Sequence, residues 1–215
     1  NDWKGDISGS NKSWNDPKRE LSPTQKKKNI NILIPGLGVN YSINSKIELL
    51  AGIHKGFSPP GPGSNESEEI KPEESINLET GISYTNNSDK FKAIYFNSAY
   101  SNLLGDDTQF AGDGTYDQFN AGKVNIYGLE LSMSKLLKYN KLFIPINLSY
   151  TYTKSEFLTS FESSFDAWGS VQSGYELPYL PSNLIYGEIG MIGTKASAYF
   201  RMKKISKMRT VAGTG

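Results

Sequence analysis

The sequence predicts an all-β chain, an antiparallel wall of a transmembrane β-barrel, and three observations carry that prediction. Runs of strand length alternate apolar with polar residues. The runs are joined by connections that are short and long in turn. Tyrosines gather at the ends of the apolar faces. From Gly36 to Ile43, Leu37, Val39, Tyr41 and Ile43 alternate with Gly36, Gly38, Asn40 and Ser42. After Asn44-Ser45, Ile47, Leu49, Ala51 and Ile53 share one face, and Lys46, Glu48, Gly52 and His54 the other, with Leu50 as an exception. Successive side chains point to opposite sides of a strand, so each run has one greasy face and one wet face. A soluble sheet can share that pattern. Short turns at one end and long loops at the other are the habit of a membrane barrel.

In chain order, residues 1–29 are polar, end in Lys26-Lys27-Lys28 and read as an irregular, loop-like segment. Eight strands follow at about 30–43, 46–58, 74–86, 90–104, 122–138, 141–157, 181–193 and 196–211. Asn44-Ser45, Asn86–Asp89, Tyr139-Asn140 and Thr194-Lys195 are the tight turns, and 59–73, 105–121 and 158–180 the long loops. Two strands alternate almost without error. Ile76, Leu78, Ile82 and Tyr84 oppose Ser75, Asn77, Glu79, Gly81 and Ser83, and Leu142 to Tyr152 behaves likewise. The run 90–104 has Phe91, Ala93 and Tyr95 on one face and Ile94 and Phe96 on the other, so pattern alone does not orient it. With the short turns placed in the periplasm, Tyr41 and Tyr84 mark the inner interface and Tyr127, Tyr150 and Tyr152 the outer one. The competing explanation is that tyrosine is simply a good strand residue.

Composition sets bounds. The chain has 215 residues, no cysteine, a single histidine and a net charge of +1. It offers neither disulfides nor thiolate metal sites, and no charge excess that would draw nucleic acid. No stretch approaches the ~18 apolar residues of a membrane-spanning helix, which says little about a barrel. Asn1-Asp2-Trp3-Lys4 does not open a signal peptide.

Four strings, Pro35-Gly36-Leu37-Gly38-Val39-Asn40-Tyr41, His54-Lys55-Gly56-Phe57-Ser58-Pro59-Pro60, Ile70-Lys71-Pro72-Glu73-Glu74-Ser75 and Tyr127-Gly128-Leu129-Glu130-Leu131-Ser132, fall in order at strands or strand–loop boundaries. Together they resemble the barrel of TonB-dependent outer-membrane receptors, nearest to the ferric-dicitrate and siderophore branch. The resemblance runs from about residue 30 to 158 and more weakly beyond. It implies a 22-stranded barrel around a plug domain, of which this chain supplies about eight strands and no plug, with 1–29 as an extracellular segment and 30–215 as partial barrel. It further implies a bacterial outer-membrane location and active uptake of a ferric chelate, iron entering only with that cargo and no cofactor being held. The partners it implies are the chelate, the TonB energy-coupling complex, and outer-membrane lipid with lipopolysaccharide.

Candidate site residues follow from facing. Placing Ala198, Phe200 and Met202 against lipid turns Arg201, Lys203, Ile205, Lys207 and Arg209 inward or up toward the mouth. Arginine and lysine there suit an anionic ferric chelate. A solvated barrel end, or lipopolysaccharide phosphates at the rim, would suit them equally. His54, on the polar face near the outer end of its strand, is a structural imidazole or a ligand to the chelate. Pro59-Pro60-Gly61-Pro62-Gly63 stiffens a loop exit, and Glu73 and Glu74 are placed to pair with neighbouring strands. Asp106-Asp107 and Asp113-Gly114-Thr115 miss the calcium-loop spacing and read as Asx turns. Phe161, Phe165, Trp168 and Tyr175 either close over a ligand or pack the loops together. No nucleophile–base constellation or phosphate-binding glycine motif marks an enzyme. The alternatives are a passive porin-like channel, a soluble carbohydrate-binding β-sandwich, and a complete eight-stranded barrel.

Overall fold

In the computed structural model, residues 2–9, 24–60, 70–106, 118–163 and 168–214 are described. Two strands, β1 (Asp2–Gly9) and β2 (Thr24–Asn31), pair with each other as an antiparallel ribbon. Within the segment read as irregular over 1–29, residues 2–9 and 24–29 are strand. Eight strands then build one antiparallel sheet, namely β3 (Gly36–Ser42), β4 (Ile47–Ser58), β5 (Glu73–Asn86), β6 (Asp89–Ser101), β9 (Val124–Tyr139), β10 (Leu142–Phe157), β13 (Asn183–Ile192) and β14 (Ser197–Ile205). Between them lie two small ribbons, β7 (Leu104–Asp106) with β8 (Gln118–Asn120) and β11 (Phe161–Glu162) with β12 (Ser170–Val171). The eight strands are ordered as in the chain from β3 to β14, each bonded to its predecessor in the sheet.

Local chemistry sets the turns. Asn44 Oδ1 accepts hydrogen bonds from the Lys46 and Ile47 amides at 2.9 and 3.0 Å, an Asx turn between β3 and β4. Asn87 and Asn140 take left-handed φ values of 53° and 51° at the two tightest turns, a conformation asparagine tolerates. Pro35 cannot donate to a ladder, and β3 begins only after it. That is why the first predicted strand is shorter than the run 30–43. The last one, expected to reach 211, ends at Ile205, where Ser206 makes its final backbone bond to Asn183 at 2.9 Å. Lys207 and Arg209 thus lie beyond the strand.

The register resolves the facing of β6. Phe91, Ala93 and Tyr95 stand opposite Met133, Leu131 and Leu129, and so belong to the apolar face of Leu49, Ile82 and Ile185. Ile94 and Phe96 point the other way. The apolar exceptions on the polar face share a reason. Leu50 and Ile94 flank Gly81 from its two neighbouring strands, Phe96 stands opposite Gly128, and Tyr199 opposite Gly190. A large side chain covers the backbone a glycine leaves bare, and the glycine lets the strand bend. A Cβ at Gly128 would run into the Tyr152 carbonyl and the Phe96 ring, and one at Gly190 would sit 2.7 Å from the Tyr199 ring.

Strand stagger gives the sheet its tilt. One row of register partners runs Tyr41, Leu49, Ile82, Ala93, Leu131, Tyr150, Ile185, Lys204. Tyr41 is one residue from the short-turn end of β3, whereas Lys204 is seven residues from the short-turn end of β14. With the turns at one level, that climb of about 20 Å over about 34 Å of sheet means a tilt of about 30°, close to that of membrane barrels.

The apolar face has no partner layer among the described residues. Leu37 is 68% exposed, Phe200 66% and Met191 54%. A β-sandwich would cover this face with a second sheet, and the described residues supply none. The sheet is also open, with β3 and β14 as its edges, so it is not a closed eight-stranded barrel. The buried core is small and lies beyond the long-loop ends of the strands, around Ala121, Val124, Phe157 and Val171.

Gly128→Val in the full-length parent protein is expected to cost about 1–3 kcal/mol or more through overpacking against fixed backbone. Heat-modifiable electrophoretic migration, which reports the folded barrel, should be largely lost, while Ser132→Ala on the same strand should leave it unchanged.

Candidate functional site

The two faces of the sheet have opposite chemistry. Outward-facing side chains are mostly apolar through the middle, Tyr95 at the centre of β6 among them, with further tyrosines toward the ends. Tyr41 and Tyr84 lie near the short turns, and Tyr127, Tyr150 and Tyr152 toward the long loops. Tyr150 donates its hydroxyl to Asn183 Oδ1 at 2.7 Å, which gives a half-buried phenol at the girdle its polar partner. Lys55 and Glu74 form an ion pair of 2.7 Å at the outer ends of β4 and β5, so Glu74 pairs with a neighbouring strand as expected. Glu73 instead accepts the Leu104 amide at 3.0 Å.

The inward face carries a polar row. Ser134, Asn147, Glu188 and Arg201 are successive register partners on β9, β10, β13 and β14. Ser134 Oγ donates to Asn147 Oδ1 at 2.8 Å, and Asn147 Nδ2 donates to Glu188 Oε1 at 3.0 Å. The other carboxylate oxygen receives the Tyr186 hydroxyl at 3.3 Å and the Arg201 Nε–H. Glu188 is only 14% exposed and Arg201 61% exposed by side chain, so the carboxylate anchors a guanidinium that reaches into the lumen. Arg201 also lies over the Tyr199 ring, 5.3 Å from its centroid.

The five sequence-predicted site residues do not form one cluster. Arg201 and Lys203 share the inward face of β14, as expected from the outward Ala198, Phe200 and Met202. Lys207 and Arg209 sit above the strand end. Arg209 pairs with Glu176 at 3.3 Å, and its carbonyl accepts the Tyr179 amide at 2.8 Å, so this segment is tied back over the β12–β13 connection. His54 is six strands away along the sheet on β4. It lines a shallow hollow of about 200 Å³ with Asn77, Glu79, Phe96, Ser98 and Glu130. No group of three or more metal-ligating side chains occurs among the described residues.

Above the sheet, the long loops pack on one another. Phe119, Phe157, Phe161 and Trp168 lie with ring centroids 5.5–6.2 Å apart, mostly edge-to-face, and Tyr175 joins the same cluster. Phe161, Trp168 and Tyr175 therefore pack loops together, the second of their two expected roles. Phe165, Asp107, Asp113, Gly114, Thr115 and Gly61-Pro62-Gly63 lie outside the described residues. Asn120 reinforces the assembly, accepting the Lys71 amide and donating to its carbonyl, both at 2.8 Å.

A family model, TonB dependent receptor-like, beta-barrel, matches residues 2–195. The chain belongs to that family. Its members are receptors and transporters of the bacterial outer membrane rather than enzymes, which places this sheet in an outer-membrane barrel wall. Among solved structures, the chain is similar to the siderophore receptor PirA from Acinetobacter baumannii, with TM-score 0.53, 17% identity and coverage of 82% of this chain and 28% of that one. It is similar also to the ferric yersiniabactin uptake receptor FyuA from Yersinia pestis, with TM-score 0.57, 20% identity and coverage of 85% and 27%. For the copper transporter OprC the values are 0.58, 16%, 87% and 27%. At these identities the likeness shows the fold. The chain spans less than a third of the length of each. No curated protein matches it in sequence.

Removing the Trp168 side chain from the loop cluster (Trp168→Ala) is expected to cost about 3–5 kcal/mol of local stability. Limited proteolysis of the full-length protein should then cut within 102–123 or 158–182, while heat-modifiable migration of the barrel stays unchanged.

Proposed function

We propose that the parent protein takes up a ferric chelate, ferric dicitrate or a siderophore, across the outer membrane with energy from the TonB complex, and that this chain forms part of the barrel wall lining the path. The observation that carries the proposal is the polar inner face with Arg201 and Lys203 directed into the lumen of a TonB-dependent receptor barrel. Cationic groups in a confined, partly desolvated chamber attract anionic cargo and give it orientation. The uptake roles in the names of PirA and FyuA point the same way. Lys207 and Arg209, above the strand end, extend the positive surface toward the mouth, and His54 contributes to a part of the wall six strands away. The expected first contact is electrostatic, and no bond is made or broken in the cargo. The segment 1–29 is assigned to the extracellular side, and lipopolysaccharide to the outer wall.

The test is calorimetry on the full-length parent in detergent, titrated with ferric dicitrate and with iron-free citrate. Saturable binding of the iron complex, weakened roughly tenfold by Arg201→Ala with Lys203→Ala, is the expected outcome. No binding, together with ion conductance in planar bilayers, would instead mark a passive channel.

A further inference from the structure

Arg201 differs from the other basic residues singled out on this chain in how it is held. Its Nε–H is bound by Glu188, and its guanidinium carbon lies over the Tyr199 ring. Glu188 is itself fixed by donors from two further positions, Asn147 on β10 and Tyr186 on β13, and Asn147 is fixed by Ser134 on β9. Tyr199 in turn is seated over Gly190, where no side chain stands between ring and backbone. Four strands therefore contribute to the placement of one side chain.

A guanidinium held through Nε presents its remaining edge, Nη1 and Nη2, as a planar pair of donors. Among the described residues, Nε to Glu188 is the one contact of this guanidinium at hydrogen-bond or ion-pair distance; the Tyr186 hydroxyl lies close enough to interact with it, and the side chain is 61% exposed toward the lumen. A planar fork of this kind matches a carboxylate two bonds at a time. We infer that Glu188 and Tyr199 are positioning residues that preset Arg201 to take a carboxylate of the cargo through its Nη edge. This rests on the uptake function proposed above and adds to it a chemical preference, for carboxylate-bearing chelates.

Positioning and plain electrostatics predict opposite signs for one substitution. Removing a carboxylate next to an anion site should strengthen anion binding if charge alone matters. If Glu188 positions Arg201, Glu188→Ala should weaken ferric dicitrate binding about threefold, less than loss of Arg201 and Lys203 together, although the site becomes more positive. Glu188→Gln, which keeps an acceptor for Nε–H, should bind as tightly as wild type or more so, and Arg201→Lys should not substitute for the fork. A second readout needs no ligand. In the ¹⁵N-arginine-labelled full-length protein, the Arg201 Nε–H resonance should exchange slowly with solvent in wild type and Glu188→Gln, and rapidly in Glu188→Ala. Tighter binding by Glu188→Ala, or a wild-type Nε–H in rapid exchange, would overturn the positioning role. A slowly exchanging Nε–H in a protein that binds no ferric dicitrate would uphold the positioning and overturn the carboxylate-cargo assignment, while ion conductance in planar bilayers alongside that result would overturn the uptake function as well.

Discussion

Everything in this molecule depends on where backbone N–H and C=O groups find partners. In hydrocarbon there is no water to take them, and each one left unpaired costs several kcal/mol. Strands that cross a bilayer must therefore bond laterally, strand to strand, and each strand between β3 and β14 here bonds both neighbours. Once pairing is fixed, the alternation of side chains becomes an alternation of solvents. The same ladder that satisfies the backbone puts Leu49, Ile82, Leu131 and Ile185 on the outside and Glu79, Glu130, Asn147 and Glu188 on the inside. The stagger that tilts the strands follows from the same ladder.

Curvature imposes a second demand, met by glycine. A wall that closes around a lumen is concave inside, where side chains crowd. Gly81, Gly128 and Gly190 thin the inner face, and Leu50, Ile94, Phe96 and Tyr199 cover the gaps. The inward hydrophobics are thus part of the bending of the sheet rather than breaks in its pattern. Tyr199 links this to the polar row, since the ring that fills the space at Gly190 also supports the Arg201 guanidinium.

Much of the sheet was legible in the sequence because membrane strands must advertise their facing. The eight strands of the sheet, their four short turns and the outward Ala198, Phe200 and Met202 could be read from period-two alternation. The facing of β6 could not, since Ile94 and Phe96 are as apolar as Phe91 and Tyr95, and only register shows which pair covers glycines. A rule was nonetheless available, for an apolar residue on a polar face calls for a glycine on the adjoining strand. In the ribbon of β1 and β2 the only alternation is the short one of Trp3 and Ile7 with Asp2, Lys4, Asp6 and Ser8, and β2 opens with the polar run Thr24-Gln25-Lys26-Lys27-Lys28-Asn29, so the ribbon was not legible. Glu188 escaped notice for a different reason. A lone carboxylate in Gly187-Glu188-Ile189-Gly190 looks like a solvated charge until register sets it beside Asn147 and Arg201. The spread of His54, Lys203 and Arg209 over the wall and its upper edge likewise depends on strand order and on how the segment after β14 folds back.

The central claim is that one face of this sheet meets lipid and the other an aqueous lumen. Its most direct test is site-directed spin labelling along β14 in the full-length protein reconstituted in bilayers, one label at a time from Ala198 to Lys203. Accessibility to oxygen should peak at 198, 200 and 202, and accessibility to a water-soluble nickel chelate at 199, 201 and 203. Equal access of the nickel chelate to all six positions would contradict the account.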